Sequence, residues 1–172
     1  MQHVMRRKDR AVNDPAEIAA FLEQEQLMRI GFADQDGVYI VPLNYGYTCE
    51  NDHYTFWFHG AQAGRKYDLA RKNPTVGFEI DGAYRVIPAE SACGYSAAYQ
   101  SVIGQGVFSV VTDPHEKIKG LTAVMRQVTK QTEWSFPEQQ INAVAVFRLD
   151  VSEMSCKRRS DPAMLKQTQS EV

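Results

Sequence analysis

Two adjacent basic residues, Arg65 and Lys66, stand where the sequence is best suited to chemistry. An aromatic strand pattern, YTFWFHG over residues 54–60, precedes them, and a turn of small residues ending at Gly64 lies between. A short helix pattern follows over residues 67–72. Backbone N–H groups at a helix start and two cationic side chains can hold a phosphate, and aromatic side chains can form an apolar wall. The pattern predicts a site for a phosphorylated ring compound, although such cation pairs are more often solvated surface charges.

The sequence contains none of the common motifs of nucleotide, metalloprotease or serine-hydrolase sites. It has no G-x-G-x-x-G after a strand, no Walker loop, no H-E-x-x-H and no G-x-S-x-G. The histidines, His3, His53, His59 and His115, are far apart, and the carboxylates are scattered. We therefore predict no metal site and assign no catalytic side chain. A protein without its own nucleophile or metal, but with a turn suited to phosphate, favours a cofactor that supplies the chemistry.

Composition indicates an ordinary globular domain. The 172 residues are 44% hydrophobic and 23% charged, which suits one domain. A net charge of −2 gives no electrostatic argument for nucleic acid or an anionic membrane, and no apolar run approaches the roughly 20 residues of a membrane span. Cys49, Cys93 and Cys156 are odd in number and widely separated, which indicates a reducing compartment and no disulfide frame. We expect a cytoplasmic protein without nucleic-acid or membrane partners.

Alternating apolar residues predict a protein built mainly of strands. Two Asp-Pro-x-Glu segments, residues 14–17 and 113–116, predict helix starts, because Asp can cap a helix and Pro suits its first position. Pro42 interrupts one strand, which implies an edge, a bulge or a site where something other than a strand lies alongside. The absence of βαβ alternation predicts a mainly β (α+β) fold: a closed or nearly closed antiparallel barrel of six or seven strands with flanking helices. The predicted strands cover residues 27–33, 38–47, 53–59, 75–81, 84–87, 99–111 and 143–151.

Polar segments at both ends predict the domain organisation. Residues 1–12 are polar and basic and are expected to form an arm. Residues 13–155 contain the predicted strands and helices and form the domain. Residues 156–172 are expected to be a polar tail with no core to join.

Four blocks of sequence resemble the flavin-binding split-barrel proteins, and above all the nitroimidazole-resistance (Nim) branch of the pyridoxamine phosphate oxidase-like group. The blocks are MRRKDR at residues 5–10, VPLNYGY at 41–47, FHGA with GRK at 58–66, and the segment from Tyr99 to Gly106 that contains SVIGQG. Their order is that of the family, and the likeness covers about residues 5–155.

The resemblance implies a homodimer of six-stranded split barrels with FMN in grooves between the subunits. The backbone of residues 42–45 would face the isoalloxazine edge, and residues 59–61 would line the ribityl and phosphate path. Arg65 and Lys66 would bind the phosphate, and three residues after position 100 would close the pocket. The implied cofactor-binding residues are Pro42, Leu43, Asn44, Tyr45, His59, Gly60, Ala61, Arg65, Lys66, Ser101, Val102 and Gly104.

Several functions remain open at this point. The resemblance implies an FMN-dependent reductase that takes electrons from a small-molecule donor and reduces a small acceptor such as a nitroimidazole or other nitroaromatic compound. The alternatives are a pyridoxamine phosphate oxidase, a non-catalytic flavin- or haem-binding protein in which His59 or His115 ligates haem, and a β-barrel interaction module. FAD or a deazaflavin could replace FMN.

Overall fold

The computed structural model of the chain describes residues 5–161. The described residues divide into a larger unit, residues 26–79 and 103–154, and a smaller unit, residues 5–25, 80–102 and 155–161. His3 and residues 162–172 of the predicted tail lie outside the described residues.

Eight strands and four α-helices form the described part of the chain. Short 3-10 helices at Lys8–Arg10 and Ala92–Gly94 are additional to these elements. None of the helices between residues 5 and 161 is long and apolar enough to cross a lipid bilayer. In chain order the elements are β1 (Ala11–Val12), α1 (Pro15–Gln24), β2 (Leu27–Asp34), β3 (Gly37–Asn44), β4 (Gly46–Glu50), β5 (His53–Gly60), α2 (Arg65–Ala70), β6 (Thr75–Ile87), β7 (Ser96–Val111), α3 (Pro114–Thr129), α4 (Glu138–Ala143) and β8 (Ala145–Arg159).

The strands form one sheet in the order β3-β2-β6-β7-β8-β5-β4, with β1 paired to β8. The pairings with a resolved register, β1 with β8, β2 with β3 and β6, and β5 with β4 and β8, are antiparallel. The predicted mainly β class with flanking helices is therefore confirmed, although eight strands are present where six or seven were expected.

Aromatic side chains fill the core of the larger unit. The Phe108 ring lies 5.2 Å from Phe32, 5.6 Å from Phe58 and 5.4 Å from Phe147, measured between centroids. Trp57 points to the opposite face of β5 and is also buried, because α3 covers that face. Burial of both faces fixes β5 firmly, and its last residues lead directly into the segment that contains the predicted site.

The smaller unit contains α1, β1 and the end of β8. Asp14 caps α1 by accepting a hydrogen bond from the Ala16 N–H at 2.9 Å, as the sequence predicts. Strand β1 pairs with β8 through Ala11 opposite Lys157 and Val12 opposite Cys156. The Cys156 side chain is buried, and burial raises the pKa of its thiol.

Several predicted element boundaries are wrong. The strands predicted to begin at residues 99 and 143 begin at Ser96 and Ala145. The predicted strand over residues 38–47 divides at Tyr45, which is buried and packs edge-on against Phe56, so that β3 and β4 are separate strands. Strand β6 runs through the predicted turn at residues 81–82, with Ala83 taking a φ of 52°. The start of the predicted tail, residues 156–159, belongs to β8, because pairing with β1 satisfies backbone groups that a free tail would leave to solvent. The division into arm, domain and tail itself stays a prediction.

Candidate functional site

The segment after β5 places the two predicted cations on the first turn of α2. Gly64 precedes this helix with a φ of 94°, a backbone conformation that residues other than glycine adopt only with strain. Helix α2 has only six residues, so its own dipole adds little to anion binding. The two cationic side chains must therefore supply most of any attraction for a phosphate.

Arg65 has partners on β2 and β3. Its Nε and Nη2 atoms both lie 2.9 Å from Oδ2 of Asp34, and its guanidinium stands over the Tyr39 ring at 4.7 Å from the centroid. The pKa of Asp34 is lowered, first by the hydrogen bond from the Gln35 N–H and then by Arg65. The charge of Arg65 is therefore largely met within the protein, and its orientation is fixed.

Lys66 is in a different state. Its ammonium lies 4.9 Å from the centroid of the buried Phe147 ring, and within residues 5–161 no carboxylate pairs with it. Burial lowers the pKa of Lys66, because the charged form loses hydration without gaining an anionic partner. An anion placed against this ammonium would restore the lost stabilisation.

Gly60, the last residue of β5, leaves room for Lys66. A Cβ atom on Gly60 would lie 2.9 Å from Nζ of Lys66 and 3.5 Å from the Phe147 ring. Gly60 pairs with Ala145 of β8. The missing side chain therefore forms a recess whose walls are backbone, one aromatic ring and one ammonium group.

A cavity of about 180 Å³ lies beside Tyr67 of α2. Tyr67, Thr112, Lys117 and Ala145 contribute to its lining. The Lys117 ammonium donates hydrogen bonds to the Ile141 and Val144 carbonyls, each at 3.2 Å. Tyr67 also packs edge-on against Phe147, so the same aromatic ring supports both the cavity and the Lys66 recess.

The sequence of the chain matches the model of one protein family over most of its length. The family model described as pyridoxamine 5′-phosphate oxidase matches residues 14–158. The chain belongs to the pyridoxamine 5′-phosphate oxidase family. Its fold is the antiparallel split barrel of that family, as the sequence blocks predict.

Solved structures with the same fold include proteins of several kinds. A proposed 5-nitroimidazole antibiotic resistance protein from Bacteroides thetaiotaomicron is 27% identical, with a TM-score of 0.71 and 86% of each chain covered. The flavocytochrome Anf3 from Azotobacter vinelandii is 23% identical, with a TM-score of 0.75, covering 93% of this chain and 74% of that one. An FAD and haem binding protein from Mycobacterium smegmatis is 14% identical, with a TM-score of 0.75, covering 92% and 80%. No curated protein matches the chain.

Within this split barrel, the residues predicted to face the isoalloxazine edge, 42–45, lie on the edge strand β3 and directly after it. Strand β3 is terminal in the strand order, and Pro42 lies opposite Arg29 of β2. An edge strand explains why a proline is tolerated there. Pro42 and Asn44 are exposed, Leu43 is half-buried, and Tyr45 is fully buried in the core. Tyr45 therefore exposes neither its ring nor its backbone in the single chain, and its predicted contact with the ring edge stays a prediction.

The other predicted residues have more varied positions. His59 is exposed at the end of β5, and Ala61 is exposed just after it. Gly104 belongs to the larger unit, where a Cβ atom would collide with the Glu153 carbonyl and the Phe78 ring, so its small size has a packing reason. Ser101 and Val102 belong to the smaller unit, and Val102 is fully buried there.

Sequence reasoning missed the partners of the two cations. Asp34 falls just after a predicted strand, and Tyr39 and Phe147 fall within predicted strands to which no site role was assigned. Asp34 lies 31 residues before Arg65, so no local spacing rule connects them. The period-2 alternation of β3 could have indicated that Tyr39 and Leu43 share a face, but not that Arg65 lies over it.

Proposed function

We propose that this chain is a flavin-dependent oxidoreductase that binds FMN through its phosphate at Lys66. The observation that carries the proposal is the half-buried Lys66 ammonium, which faces the Gly60 recess without a carboxylate partner among the described residues. Family membership supports a flavin as the ligand, because the matched family is built on a flavin-binding split barrel.

The residues around Lys66 fit a phosphorylated flavin. The ammonium can donate charge-assisted hydrogen bonds to a phosphate, and the absence of a side chain at Gly60 leaves room for the end of Lys66 in this position. Arg65 keeps further N–H groups besides those directed at Asp34 and is held by the Tyr39 ring. We therefore assign Lys66 the main phosphate contact and Arg65 a positioning and secondary electrostatic role.

Bound flavin would supply the redox chemistry, which is electron transfer from a nicotinamide donor to a small acceptor such as a nitroimidazole or other nitroaromatic compound. The chain itself would bind and orient the flavin and limit the access of water to it. The 27% identity to the proposed nitroimidazole resistance protein of Bacteroides thetaiotaomicron supports this class of acceptor. No side chain is assigned a covalent or proton-transfer role.

We also propose that a second copy of the chain completes the site. Strands β3 and β7 carry exposed apolar side chains: Val38 is 74% exposed, Ile40 63% and Ile103 55%. The intervening strands add an Arg29–Glu79 ion pair at 3.1 Å, which is neutral overall. An apolar, uncharged sheet face suits pairing with an identical face about a two-fold axis.

The dimer is tested by light scattering on the purified protein. Val38→Glu combined with Ile40→Glu is expected to give monomers with weakened FMN binding. Ile118→Glu combined with Val128→Glu places the same charges on exposed positions of α3 and is expected to leave a dimer. A wild-type monomer that binds FMN fully would refute the shared site.

We propose a cytoplasmic location as well. Cys49, Cys93 and Cys156 are all unpaired, which is the usual state of thiols in a reducing compartment.

The proposed activity is tested with the protein as isolated and after addition of FMN. We expect a flavin absorption spectrum in the visible range, and reduction of a nitroaromatic acceptor that depends on both FMN and a nicotinamide donor. Lys66→Met should weaken FMN binding by about 1.5–3 kcal/mol, and more than Arg65→Gln does. A colourless protein that stays colourless with FMN, or a haem spectrum without flavin, would contradict the proposal.

A further inference from the structure

Pairing of β1 with β8 brings together two basic runs that are distant in the sequence. Residues 6–10, RRKDR, lead into β1, and residues 157–159, KRR, end β8. Ala11 lies opposite Lys157, so the end of one run lies beside the start of the other. The two runs contain seven basic residues and one acidic residue, whereas the whole chain has a net charge of −2. Positive charge is therefore concentrated in the smaller unit.

Carboxylates neutralise only part of this charge. Asp9 pairs with Arg7 at 2.6 Å, and Glu17 pairs with Arg158 at 2.7 Å. Arg10 donates a hydrogen bond to a neutral group, the Tyr99 hydroxyl, at 3.3 Å. Within the described residues, Arg159 has no carboxylate partner. Cations clustered in this way repel one another unless an anion lies among them.

The surroundings of Tyr99 report the same positive field. Its pKa is lowered, first by the hydrogen bond from Arg10. Burial opposes this effect, and the charges of Lys157 and Arg10 lower the pKa further. The Tyr99 hydroxyl therefore lies beside cations from both basic runs.

A groove of about 330 Å³ lies among these residues. Asp9, Arg10, Arg158, Arg159 and Ser160 line it together with the two residues of β1. Asp9 is paired with Arg7, which offsets its charge. Guanidinium groups match phosphate oxygens in a fixed, bidentate geometry. Because Arg10 directly precedes β1 whereas Arg158 and Arg159 lie on β8, one phosphate could engage Arg10 and a second phosphate the two arginines of β8.

We propose that this groove binds an organic diphosphate, such as a nucleoside diphosphate or the diphosphate bridge of a dinucleotide. The small volume of this open groove, about 330 Å³ beside two paired strands, favours a small ligand over a nucleic acid or a lipid surface. This site involves residues other than Arg65 and Lys66 and does not depend on the flavin proposal.

The test is calorimetric titration of the full-length protein with inorganic pyrophosphate, ADP and orthophosphate, in excess FMN so that any site at Lys66 is occupied. We expect pyrophosphate and ADP to bind at least about tenfold more tightly than orthophosphate, with affinity that falls as salt rises. Arg10→Gln combined with Arg159→Gln should reduce pyrophosphate affinity by about 10- to 100-fold. Lys119→Gln is the control: it removes one positive charge from α3, where Lys119 pairs with Glu50. This variant should leave the pyrophosphate affinity unchanged.

A conservative variant distinguishes a loss of binding from a loss of folding. Arg159→Lys keeps the charge but loses the bidentate fork, so it should bind pyrophosphate with intermediate affinity, and its thermal unfolding should match that of the wild type. Equal affinity for orthophosphate and pyrophosphate would overturn the proposal. Loss of pyrophosphate binding in Lys66→Met but not in the double arginine variant would also overturn it. So would binding to DNA or phosphatidylserine vesicles that pyrophosphate does not displace.

Discussion

At the residue scale, two neighbouring cations have opposite states. Arg65 is paired with Asp34 and stacked on Tyr39, whereas Lys66 covers the Phe147 ring with its charge unmatched by any described carboxylate. The sequence predicted both cations as one phosphate clamp. It could not predict their different roles, because the residues that distinguish them come from β2, β3 and β8.

The space at Gly60 can be tested by a double-mutant cycle. Gly60→Ala should weaken FMN binding, because its Cβ would lie 2.9 Å from Nζ of Lys66 and displace it. The fold should change little, since the obstructed atom is the end of a flexible side chain. If the effect acts through Lys66, Gly60→Ala should have no further effect in a Lys66→Met background. Equal losses in both backgrounds, measured by fluorescence titration, would show that the recess acts independently of Lys66.

The lowered pKa of Lys66 predicts a pH dependence of phosphate recognition. Phosphate requires the charged ammonium, so the ratio of FMN affinity to riboflavin affinity should be constant near neutral pH. It should fall as pH rises through the Lys66 pKa, which lies below the ordinary 10.5. Riboflavin controls for ionisation of the ring itself. In Lys66→Arg the ratio should stay constant over the same range, and a parallel fall in that variant would assign the effect to another group.

At the element scale, the sequence predicted helices better than strand ends. Both Asp-Pro-x-Glu segments begin helices as expected, with Asp14 and Asp113 accepting hydrogen bonds from backbone N–H groups. These signals are local. The division at Tyr45, the continuation of β6 through residue 83 and the extension of β8 to residue 159 depend on neighbouring strands and core packing, which local patterns do not contain.

The cap of α3 has a measurable contribution. Asp113 accepts a hydrogen bond from the Glu116 N–H at 2.9 Å, so Asp113→Ala should reduce the free energy of unfolding by about 1 kcal/mol. Asp113→Ser keeps an acceptor and should lose much less. Urea denaturation of both variants measures the difference, and equal losses would mean that the cap hydrogen bond contributes little.

Close packing of α3 on β4 depends on a glycine. A Cβ atom at Gly46 would collide with the backbone of Ala123, which cannot move without shifting the helix. Gly46→Ala should therefore destabilise the protein by about 1–3 kcal/mol or more. Gly31→Ala is a matched control, because its Cβ would have an ordinary contact of 3.8 Å with the Gly77 carbonyl. Comparable thermal stability of the two variants would contradict this packing.

At the scale of the whole molecule, net charge describes the surface poorly. The value of −2 gave no reason to expect an anionic ligand beyond the phosphate turn, yet the paired ends of β1 and β8 gather seven basic residues. Only the strand pairing, which joins residues about 145 positions apart, reveals this cluster. The family and the fold class, by contrast, were predictable from four short blocks of sequence. Three glycines of these blocks, Gly46, Gly104 and Gly106, lie where a Cβ atom would collide with the backbone of a neighbouring element, so this packing requires glycine there.

The central claim is that this split barrel recognises a flavin by its phosphate at Lys66. The most direct measurement compares FMN with riboflavin, which lacks only the phosphate, in titrations of the wild type and Lys66→Met. We predict that the wild type binds FMN about 10- to 150-fold more tightly than riboflavin, and that Lys66→Met loses most of this ratio while its riboflavin affinity is unchanged. An unchanged ratio in Lys66→Met, or a wild type that binds the two ligands equally, would contradict the account.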